Sequence, residues 1–403
     1  MSDADVPRPA EVRAKTSPPG ADRERALPLL IATILPEQGT TGVQTHFREL
    51  RRFLDRLGIR SDLVTPSCWG RPLTVPVFGF RRLLVWCSKP ASVRWYRHWH
   101  EVFLRHALRR RLAGLGRCVV YAQCPVSARA ALQSRQGAHQ RVVLAVHFRI
   151  SQSDEWADKG QIRRDGAVFS GIRRLEREVI PQVDGLVYVS KWGRDALVDW
   201  LPEAAQVPSA VIRNFTAPVP PVTTRKQSGD LVTTGSLEPV KNHQFLLRVL
   251  AAANDAGHRL TLDIFGEGPL RAGLMALAES LNLDGQVRFR GFRTDVRDFL
   301  PGYRAYVHSS FSESAPLAII EAMAAGLPVV APAIAPILEL CDEGIEARFW
   351  PLSDPRQAAR TVISLLSREP ERAAAGRAAT ARFHRDHDAD IVGPRLLHFL
   401  QAS

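Results

Sequence analysis

The sequence has no apolar run long enough to cross a membrane. A spanning helix needs ~20 consecutive, mostly apolar residues, and no stretch of the 403 residues approaches that length. Residues 1–26 are rich in proline and charge, and they also lack the apolar segment of a signal peptide. We therefore expect a cytoplasmic protein with a disordered tail, because residues 1–26 have too little apolar surface to offset the entropy of ordering.

Cysteine is scarce, and nothing in the sequence has the spacing of a metal site. The chain has no CxxC pair and no histidine at zinc-ligand spacing from a cysteine. The dense polar run 384–390 (HRDHDAD) contains ligand types, but it suits a solvated connector between two helices better than a metal site. We expect free, buried thiols at the five cysteines, which are Cys68, Cys87, Cys118, Cys124 and Cys341.

Acidic residues are fewer than basic ones. Asp and Glu total 41 against 54 Lys and Arg, which gives a formal net charge of +13. Such an excess favours an anionic partner, whether nucleic acid, acidic lipid headgroups or a phosphorylated substrate. Nucleic acid is the weakest of the three, because the sequence contains no zinc finger, RNP-like motif or other recognisable module. We expect no nucleic-acid partner.

Short apolar strands alternate with helical patterns along the chain. A length of 403 residues with 45% hydrophobic content predicts two domains. The predicted strands are 29–35, 62–65, 118–122, 141–147 and 185–189 in a first series and 231–234, 261–265, 287–290, 305–308 and 328–330 in a second. This alternation predicts an α/β protein with two Rossmann-like, doubly wound parallel sheets that face a central cleft.

A polar, proline-rich segment separates the two series. Residues 217–229 suit an exposed linker between an N-terminal domain, 27–216, and a C-terminal domain, 230–385. We expect a last helix, 386–403, to pack back on the N-terminal domain. Ligands of open parallel sheets bind beyond the carboxyl ends of the strands. The loops at those ends are 36–43, 147–153, 235–241, 266–270 and 309–316.

Two glutamates, Glu313 and Glu321, lie eight residues apart across the predicted start of a helix. Pro316 suits an early helical position, because its fixed φ fits the helix and no amide bond is lost there. The free amides of Leu317 and Ala318, with the positive end of the helix dipole, form an anion site that suits a diphosphate. Carboxylates beside it can hold sugar and ribose hydroxyls. The spacing alone is equally compatible with two solvated surface glutamates.

The order of motifs around these glutamates resembles the retaining glycosyltransferases of family 4, which have the GT-B fold. Residues 309–330 (SSFSESAPLAIIEAMAAGLPVV) are similar to that family's Glu-x7-Glu segment. Similarity is weak between residues 66 and 140. The other segments that resemble the family are 41–46 (TGVQTH), 210–214 (AVIRN), 230–242 (DLVTTGSLEPVKN), 263–269 (DIFGEGP) and 287–292 (VRFRGF).

The resemblance implies roles for individual residues. Glu313 is expected near the reacting carbon of the donor sugar, Glu321 on the ribose and Lys241 on the diphosphate. His147, which without the resemblance reads as an ordinary strand-end histidine, is expected to contact the donor. The implied catalytic residues are Glu313, His147 and Lys241, and the implied donor-binding residues are Gly42, Gly235, Ser236, Lys241, Gly266, Arg290, Pro316, Leu317, Ala318 and Glu321.

The resemblance also implies a reaction. A hexosyl group passes from a nucleotide sugar to a hydroxyl of a glycan or lipid-linked saccharide, with retention at the anomeric carbon. No metal or other cofactor is expected, since lysine and helix amides supply the charge and no Asp-x-Asp triplet ends a strand. The family usually has an arginine where Ser236 follows Gly235. That departure leaves open a non-catalytic nucleotide-sugar-binding partner, and an epimerase or phosphorylase of the same fold is a third hypothesis.

A basic, aromatic stretch, 93–112, has two interpretations. Trp95, Trp99 and Phe103 lie broadly on one face of a predicted helix with arginines around them. Such a face suits either an anionic membrane surface or the interior of a Rossmann domain. The number of arginines favours the membrane, so we expect a peripheral protein at the inner face of the cell membrane.

Overall fold

The computed structural model describes residues 27–37, 39, 41–69, 71–219 and 228–402. The expected tail, 1–26, and most of the expected linker lie outside these residues, so both predictions stay predictions. No helix in the described part of the chain is long and apolar enough to span a bilayer.

The N-terminal half of the described chain forms a six-stranded sheet in which every neighbouring pair is parallel. Its strands are β1 (Leu29–Ala32), β2 (Ser61–Val64), β3 (Cys118–Ala122), β4 (Gln140–Val146), β5 (Gly185–Tyr188) and β6 (Ser209–Val211). Its helices are α1 (Gly42–Leu57), α2 (Arg71–Cys87), α3 (Lys89–Leu112), α4 (Pro125–Leu132), α5 (Gln152–Asp158), α6 (Ala167–Val179) and α7 (Lys191–Trp200). The strand order is β2-β1-β3-β4-β5-β6. The central strands are mostly apolar because helices cover both faces of a parallel sheet.

The C-terminal half repeats the arrangement with six described strands. Numbered along the chain, they lie in the sheet in the order β12-β11-β10-β7-β8-β9. The strands are β7 (Leu231–Thr234), β8 (Leu262–Phe265), β9 (Val287–Gly291), β10 (Ala305–Val307), β11 (Val329–Pro332) and β12 (Ala347–Trp350). The helices are α8 (His243–Asp255), α9 (Arg271–Ser280), α10 (Val296–Phe299), α11 (Leu317–Ala324), α12 (Ala335–Leu338), α13 (Pro355–Ser367), α14 (Glu369–Asp386) and α15 (Ala389–Gln401).

The predicted fold class, two doubly wound parallel α/β domains, is confirmed. The sequence patterns missed β6 and β12, which form one edge of each sheet. β6 has three residues and begins with the exposed Ser209, and β12 contains Arg348. Edge strands need not be apolar on both faces, so they give weaker sequence patterns.

The last helix, α15, returns to the N-terminal domain and completes its core. Val392, Leu396 and Leu400 are buried with Phe53 and other side chains of α1 and the N-terminal sheet. The contact is close at Gly393, where an added Cβ would lie 2.7 Å from the ring of Phe53. Any side chain at this position would have to displace the Phe53 ring or the helix backbone.

The polar run 384–390 is where the chain crosses between the domains. His387 is fully buried, and one of its ring nitrogens lies 2.9 Å from the carbonyl oxygen of Asn214. Thr216 and Asp388 form a parallel bridge, with the Thr216 amide donating to His387 O and the Ala389 amide donating to Thr216 O. The expectation of a solvated connector was therefore wrong for His387 and Asp388, which are buried against a second chain segment that sequence spacing does not reveal. The other polar residues His384, Arg385 and Asp390 are exposed, as expected.

The five cysteines are all free, as expected, but only three of them are buried. Cys118, Cys124 and Cys341 are buried in the two domains, whereas Cys68 and Cys87 are exposed. Cys68 lies in the short 3-10 turn at Pro66–Trp69, and Cys87 ends α2. Both lie in the stretch 66–140, where the resemblance of the sequence to the family is weak.

Candidate active site in the interdomain cleft

The carboxyl ends of the two sheets open onto a shared cleft of about 800 Å³. Parallel sheets bind ligands at this edge, where helix amino termini and strand-end loops converge. The cleft brings together all but one of the predicted site residues. Those that line it are Gly42, His147, Gly235, Ser236, Lys241, Gly266, Glu313, Pro316, Leu317, Ala318 and Glu321.

Lys241, Glu313 and His308 form a polar cluster on the C-terminal side of the cleft. The Lys241 ammonium donates to Glu313 Oε1 at 2.6 Å, and His308 Nε2 lies 3.0 Å from the same oxygen. Lys241 ends the 3-10 turn before α8, and its carbonyl oxygen accepts a 2.8 Å hydrogen bond from Ser309 Oγ. That bond joins the lysine turn to the loop that carries Glu313. The two loops therefore hold each other in place.

Glu313 is held in its ionised form although its side chain is largely buried, with only 10% of its surface exposed. Burial by itself would raise its pKa, but the Lys241 ammonium and the hydrogen bond to His308 outweigh burial and hold the pKa well below its usual range. The result is a fixed negative charge facing a cleft. Such a charge stabilises positive charge that develops on a bound molecule.

The loop after Glu313 leads into α11. Pro316 is the N-cap of that helix, directly before its first residue Leu317, and not an early helical residue as the sequence suggested. The first amide that bonds back is that of Ile319, which donates to Pro316 O at 3.1 Å, so the amides of Leu317 and Ala318 precede the first helical hydrogen bond and point along the helix dipole. Asn214 donates to Ala315 O at 3.0 Å, which ties the loop to the N-terminal domain.

Glu321 lies one turn into α11 and is half-buried. Burial raises its pKa to about 7, with Arg297 opposing and Glu49 adding to the rise. Glu49 is buried on α1 and accepts hydrogen bonds of 3.1 Å from Thr216 Oγ1 and the Ala217 amide. A carboxylate near half-ionisation at neutral pH thus lies at the junction of the two domains.

Two glycine loops form the floor of the cleft on the C-terminal side. Gly235 and Gly266 follow the adjacent strands β7 and β8, and an added Cβ on Gly266 would lie 1.8 Å from Gly235 O. Gly266 also has φ of +151°, which favours glycine. Ser236 donates to Glu238 Oε2 at 3.4 Å. The position that precedes the lysine turn thus carries a hydroxyl beside a carboxylate, with no positive charge.

His147 faces the cleft from the end of β4. Its Nε2 lies 3.1 Å from Gln123 Oε1, and its ring packs edge-on against His46 with the centroids 4.6 Å apart. Burial, with the neighbouring His46, holds the pKa of His147 well below its usual range, and burial lowers the pKa of His46 to about 4. Both rings are neutral at physiological pH and act through hydrogen bonds and packing rather than charge.

Arg290 is the predicted site residue that does not line the cleft. Its guanidinium pairs with Asp263 at 2.8 Å on the outer edge of the sheet, where Arg288 pairs with the same carboxylate at 2.5 Å. Tyr303 also donates to Asp263, at 2.6 Å. Asp263 is fully buried, so these partners satisfy a charge that would otherwise be costly to bury.

The sequence patterns did not single out four residues that line the cleft or contact its lining. Glu49 and Arg297 line it, whereas the buried His308 contacts Glu313 and the buried His46 packs against His147. His308 ends a predicted strand, so the strand-end rule would have found it. Arg297, Glu49 and His46 lie within helices, and their approach to the cleft depends on how the two domains meet. Among the described residues, no group of three or more His, Cys, Asp or Glu side chains is arranged to hold a metal ion.

Two family models match the chain. "Glycosyltransferase Family 4" matches residues 40–216, and "Glycosyl transferases group 1" matches residues 220–382. The "Putative glycosyltransferase EpsF" of Bacillus subtilis is 34% identical over 91 residues, which cover 23% of this chain and 24% of that protein. The chain thus spans about a quarter of the length of the curated relatives it first matches.

Two solved structures have the same fold along nearly the whole chain. A sucrose-phosphate synthase from Thermosynechococcus elongatus superposes with a TM-score of 0.69 at 17% identity and covers 92% of this chain and 97% of its own. Anabaena HepE in complex with UDP and glucose superposes with a TM-score of 0.67 at 16% identity and covers 94% and 100%. At these identities the likeness establishes the fold.

Proposed function

We propose that this chain, which belongs to the GT-B glycosyltransferases of the group 1 and family 4 type, transfers a sugar from a nucleotide-sugar donor to a hydroxyl acceptor. The observation that carries the proposal is the cluster at the centre of the cleft. Lys241 and Glu313 form a 2.6 Å ion pair beside the free amides of α11. A diphosphate and a sugar need such neighbouring positive and negative groups.

The diphosphate is expected to lie over the amides of Leu317 and Ala318, within reach of Lys241. The helix dipole and the ammonium then compensate its charge without a metal ion. Glu321 is expected to accept hydrogen bonds from the ribose hydroxyls, because it is one turn further along the same helix. The glycine loops at Gly235 and Gly266 leave the floor of the cleft free of side chains, so that the nucleotide can approach the backbone.

The transfer breaks the bond between the anomeric carbon and the phosphate oxygen and forms a bond from that carbon to the acceptor oxygen. Positive charge develops on the sugar as the diphosphate leaves, and the Glu313 carboxylate stabilises it. The acceptor proton passes to the departing phosphate oxygen, so atoms and charges balance. We propose retention at the anomeric carbon. His147, on the opposite wall, is proposed to orient the donor sugar through hydrogen bonding.

The acceptor is proposed to be a glycan or a lipid-linked saccharide, and the sugar a hexose. Support comes from the charge of the chain, +13, which favours phosphate-bearing acceptors, and from the resemblance in the residue motifs. With these substrates the protein would work in the cytoplasm, at the inner face of the cell membrane, in the synthesis of a polysaccharide or glycolipid.

Donor use tests the proposal directly. A thermal-shift screen against UDP-, GDP- and ADP-sugars identifies the donor, and hydrolysis or transfer is then measured for wild type and Glu313→Gln. The variant keeps the shape and removes the charge, so we expect kcat to fall by about 10²–10³-fold with little change in KM. Glu37→Gln, an exposed carboxylate at the cleft rim paired with Arg51, is the matched control. No shift and no turnover with any common nucleotide sugar would refute the proposal.

A non-catalytic nucleotide-sugar-binding partner is the second candidate. It is favoured by Ser236, which stands beside the Glu238 carboxylate and adds no positive charge next to the lysine turn. In that case the donor binds with the expected thermal shift, but wild type and Glu313→Gln show the same background hydrolysis. Equal rates combined with donor binding would therefore replace the first proposal with this one.

A further inference from the structure

Helix α2 presents an apolar face to solvent. Trp86 is 92% exposed, Leu83 63%, Val75 60% and Phe80 45%. At about 100° per residue these four positions fall on one side of the helix, with Gly79 between them. Scattered exposed apolar residues are ordinary, whereas a contiguous ridge of this kind marks a contact surface.

The opposite side of α2 is already used. It packs on α3, where Trp95 Nε1 donates to Val77 O at 2.8 Å. Phe80 lies at the edge of the ridge, and its half-exposed ring also contacts Trp95, with the centroids 5.0 Å apart. Phe78 stacks on His100 with the centroids 4.3 Å apart. The aromatic face of α3 is therefore covered by α2, and the surface open to a partner belongs to α2.

The surroundings of this ridge are strongly basic. Residues 71–112 contain ten Lys and Arg and one acidic residue, Glu101. Glu101 is buried and paired with Arg129, so it contributes no exposed negative charge. Lys89, Arg94 and Arg109 are exposed. An apolar ridge on so basic a stretch of chain is complementary to a surface that is apolar inside and anionic outside.

The position of α2 relates this surface to the cleft. The helix follows β2 through the 3-10 turn Pro66–Trp69, at the carboxyl edge of the N-terminal sheet. That edge also carries His147, at the end of β4. A membrane or partner that contacts α2 therefore lies at the same edge of the N-terminal sheet as the cleft.

We propose that α2 docks the protein on an anionic lipid membrane, with Trp86, Leu83 and Phe80 at the boundary of headgroups and acyl chains. This inference rests on the proposed function, since it assigns the acceptor to a lipid-embedded class. A second copy of the chain fits the surface less well, because a twofold contact between two such helices would bring like charges together.

Vesicle sedimentation of the full chain tests the docking surface. We expect binding to vesicles of equal parts phosphatidylcholine and phosphatidylglycerol, weaker binding to phosphatidylcholine alone, and a loss of binding at high salt. Trp86→Ser and Leu83→Ser should each lower the partition coefficient on the order of tenfold, because each removes most of an exposed apolar side chain. Met275→Ser, at a half-exposed position on α9, is the matched control and should bind as wild type does.

Three outcomes would overturn the inference. They are no binding of wild type to anionic vesicles, unchanged binding of both α2 variants, and a dimer in light scattering that Trp86→Ser dissociates. Donor hydrolysis is measured on the same proteins. Lost vesicle binding with retained hydrolysis in the variants supports docking through α2, whereas absent hydrolysis in wild type refutes the proposed function without altering the vesicle result.

Discussion

Replacing Lys241 with methionine tests whether the central ion pair sets the charge of Glu313. The pair is 2.6 Å long, with side chains 26% and 10% exposed. Removing one partner of a fully buried pair costs about 3–5 kcal/mol. Lys241 is partly exposed and His308 stays 3.0 Å from the carboxylate, so we expect a loss of about 1–3 kcal/mol in the free energy of unfolding at neutral pH.

The loss should depend on pH in a defined direction. In wild type the pKa of Glu313 lies below its ordinary value of 4.5, so the pair stabilises the fold above that pH and the stabilisation disappears as the pH falls. Without Lys241 we expect burial to outweigh the remaining hydrogen bond to His308 and to raise the pKa above its ordinary value, so that ionising the carboxylate destabilises the fold as the pH rises. The difference between wild type and Lys241→Met should therefore grow from about pH 5 to about pH 8.

Thermal unfolding of the two proteins at both pH values measures this difference. A domain of this size shifts by roughly 2–4 °C per kcal/mol, so a drop of several degrees is expected near pH 8 and a smaller one near pH 5. Lys159→Met is the matched control, because Lys159 also lines the cleft but lies 3.9 Å from its partner Glu238. Equal drops at both pH values, or an equal effect of Lys159→Met, would refute the electrostatic reasoning.

Two further substitutions probe the donor site. Because burial raises the pKa of Glu321 to about 7, donor affinity should fall up to about tenfold for each pH unit below that value. Glu321→Gln should bind the donor more weakly, and its affinity should not change with pH in this range. Calorimetry with a nucleotide sugar measures both, and a variant whose affinity still falls with pH would contradict the assignment. Gly266→Ala places a Cβ 1.8 Å from Gly235 O and should abolish donor binding, whereas Gly273→Ala on α9, with open space around it, should not; normal donor binding by Gly266→Ala in a thermal-shift assay would count against the close approach.

The fold was predictable because its central strands are uniform. Buried parallel strands such as β3, and β4 from Val142 onward, are apolar runs, so they are visible without any knowledge of their neighbours. The helix α2 was not predicted. It is apolar on two sides and contains Pro76, so neither a helical stripe nor an unbroken helix could be read from the sequence.

Site residues were predictable where their place at a strand end or a helix start brings them to the cleft. They were not predictable where the direction of the side chain decides whether it faces the cleft. Strand-end position and the start of α11 suffice to bring Glu313 and Lys241 to one cleft. Arg290 differs, because alternation along β9 turns Arg288 and Arg290 to the same face, toward Asp263. That pairing partner is on the neighbouring strand, and only the register reveals it.

The pairing of Lys241 with Glu313 bears on the missing arginine at Ser236. In the free protein one ammonium neutralises the carboxylate, and a bound diphosphate would compete for the same ammonium. Two other cleft cations already have carboxylate partners, since Arg149 pairs with Asp158 and Arg293 with Asp295. Under the proposed function, diphosphate binding draws Lys241 away from Glu313, and His308 then remains the group that holds the carboxylate. The negative charge would thus become fully available to the sugar when a donor is present, which couples donor binding to the stabilisation of the transition state.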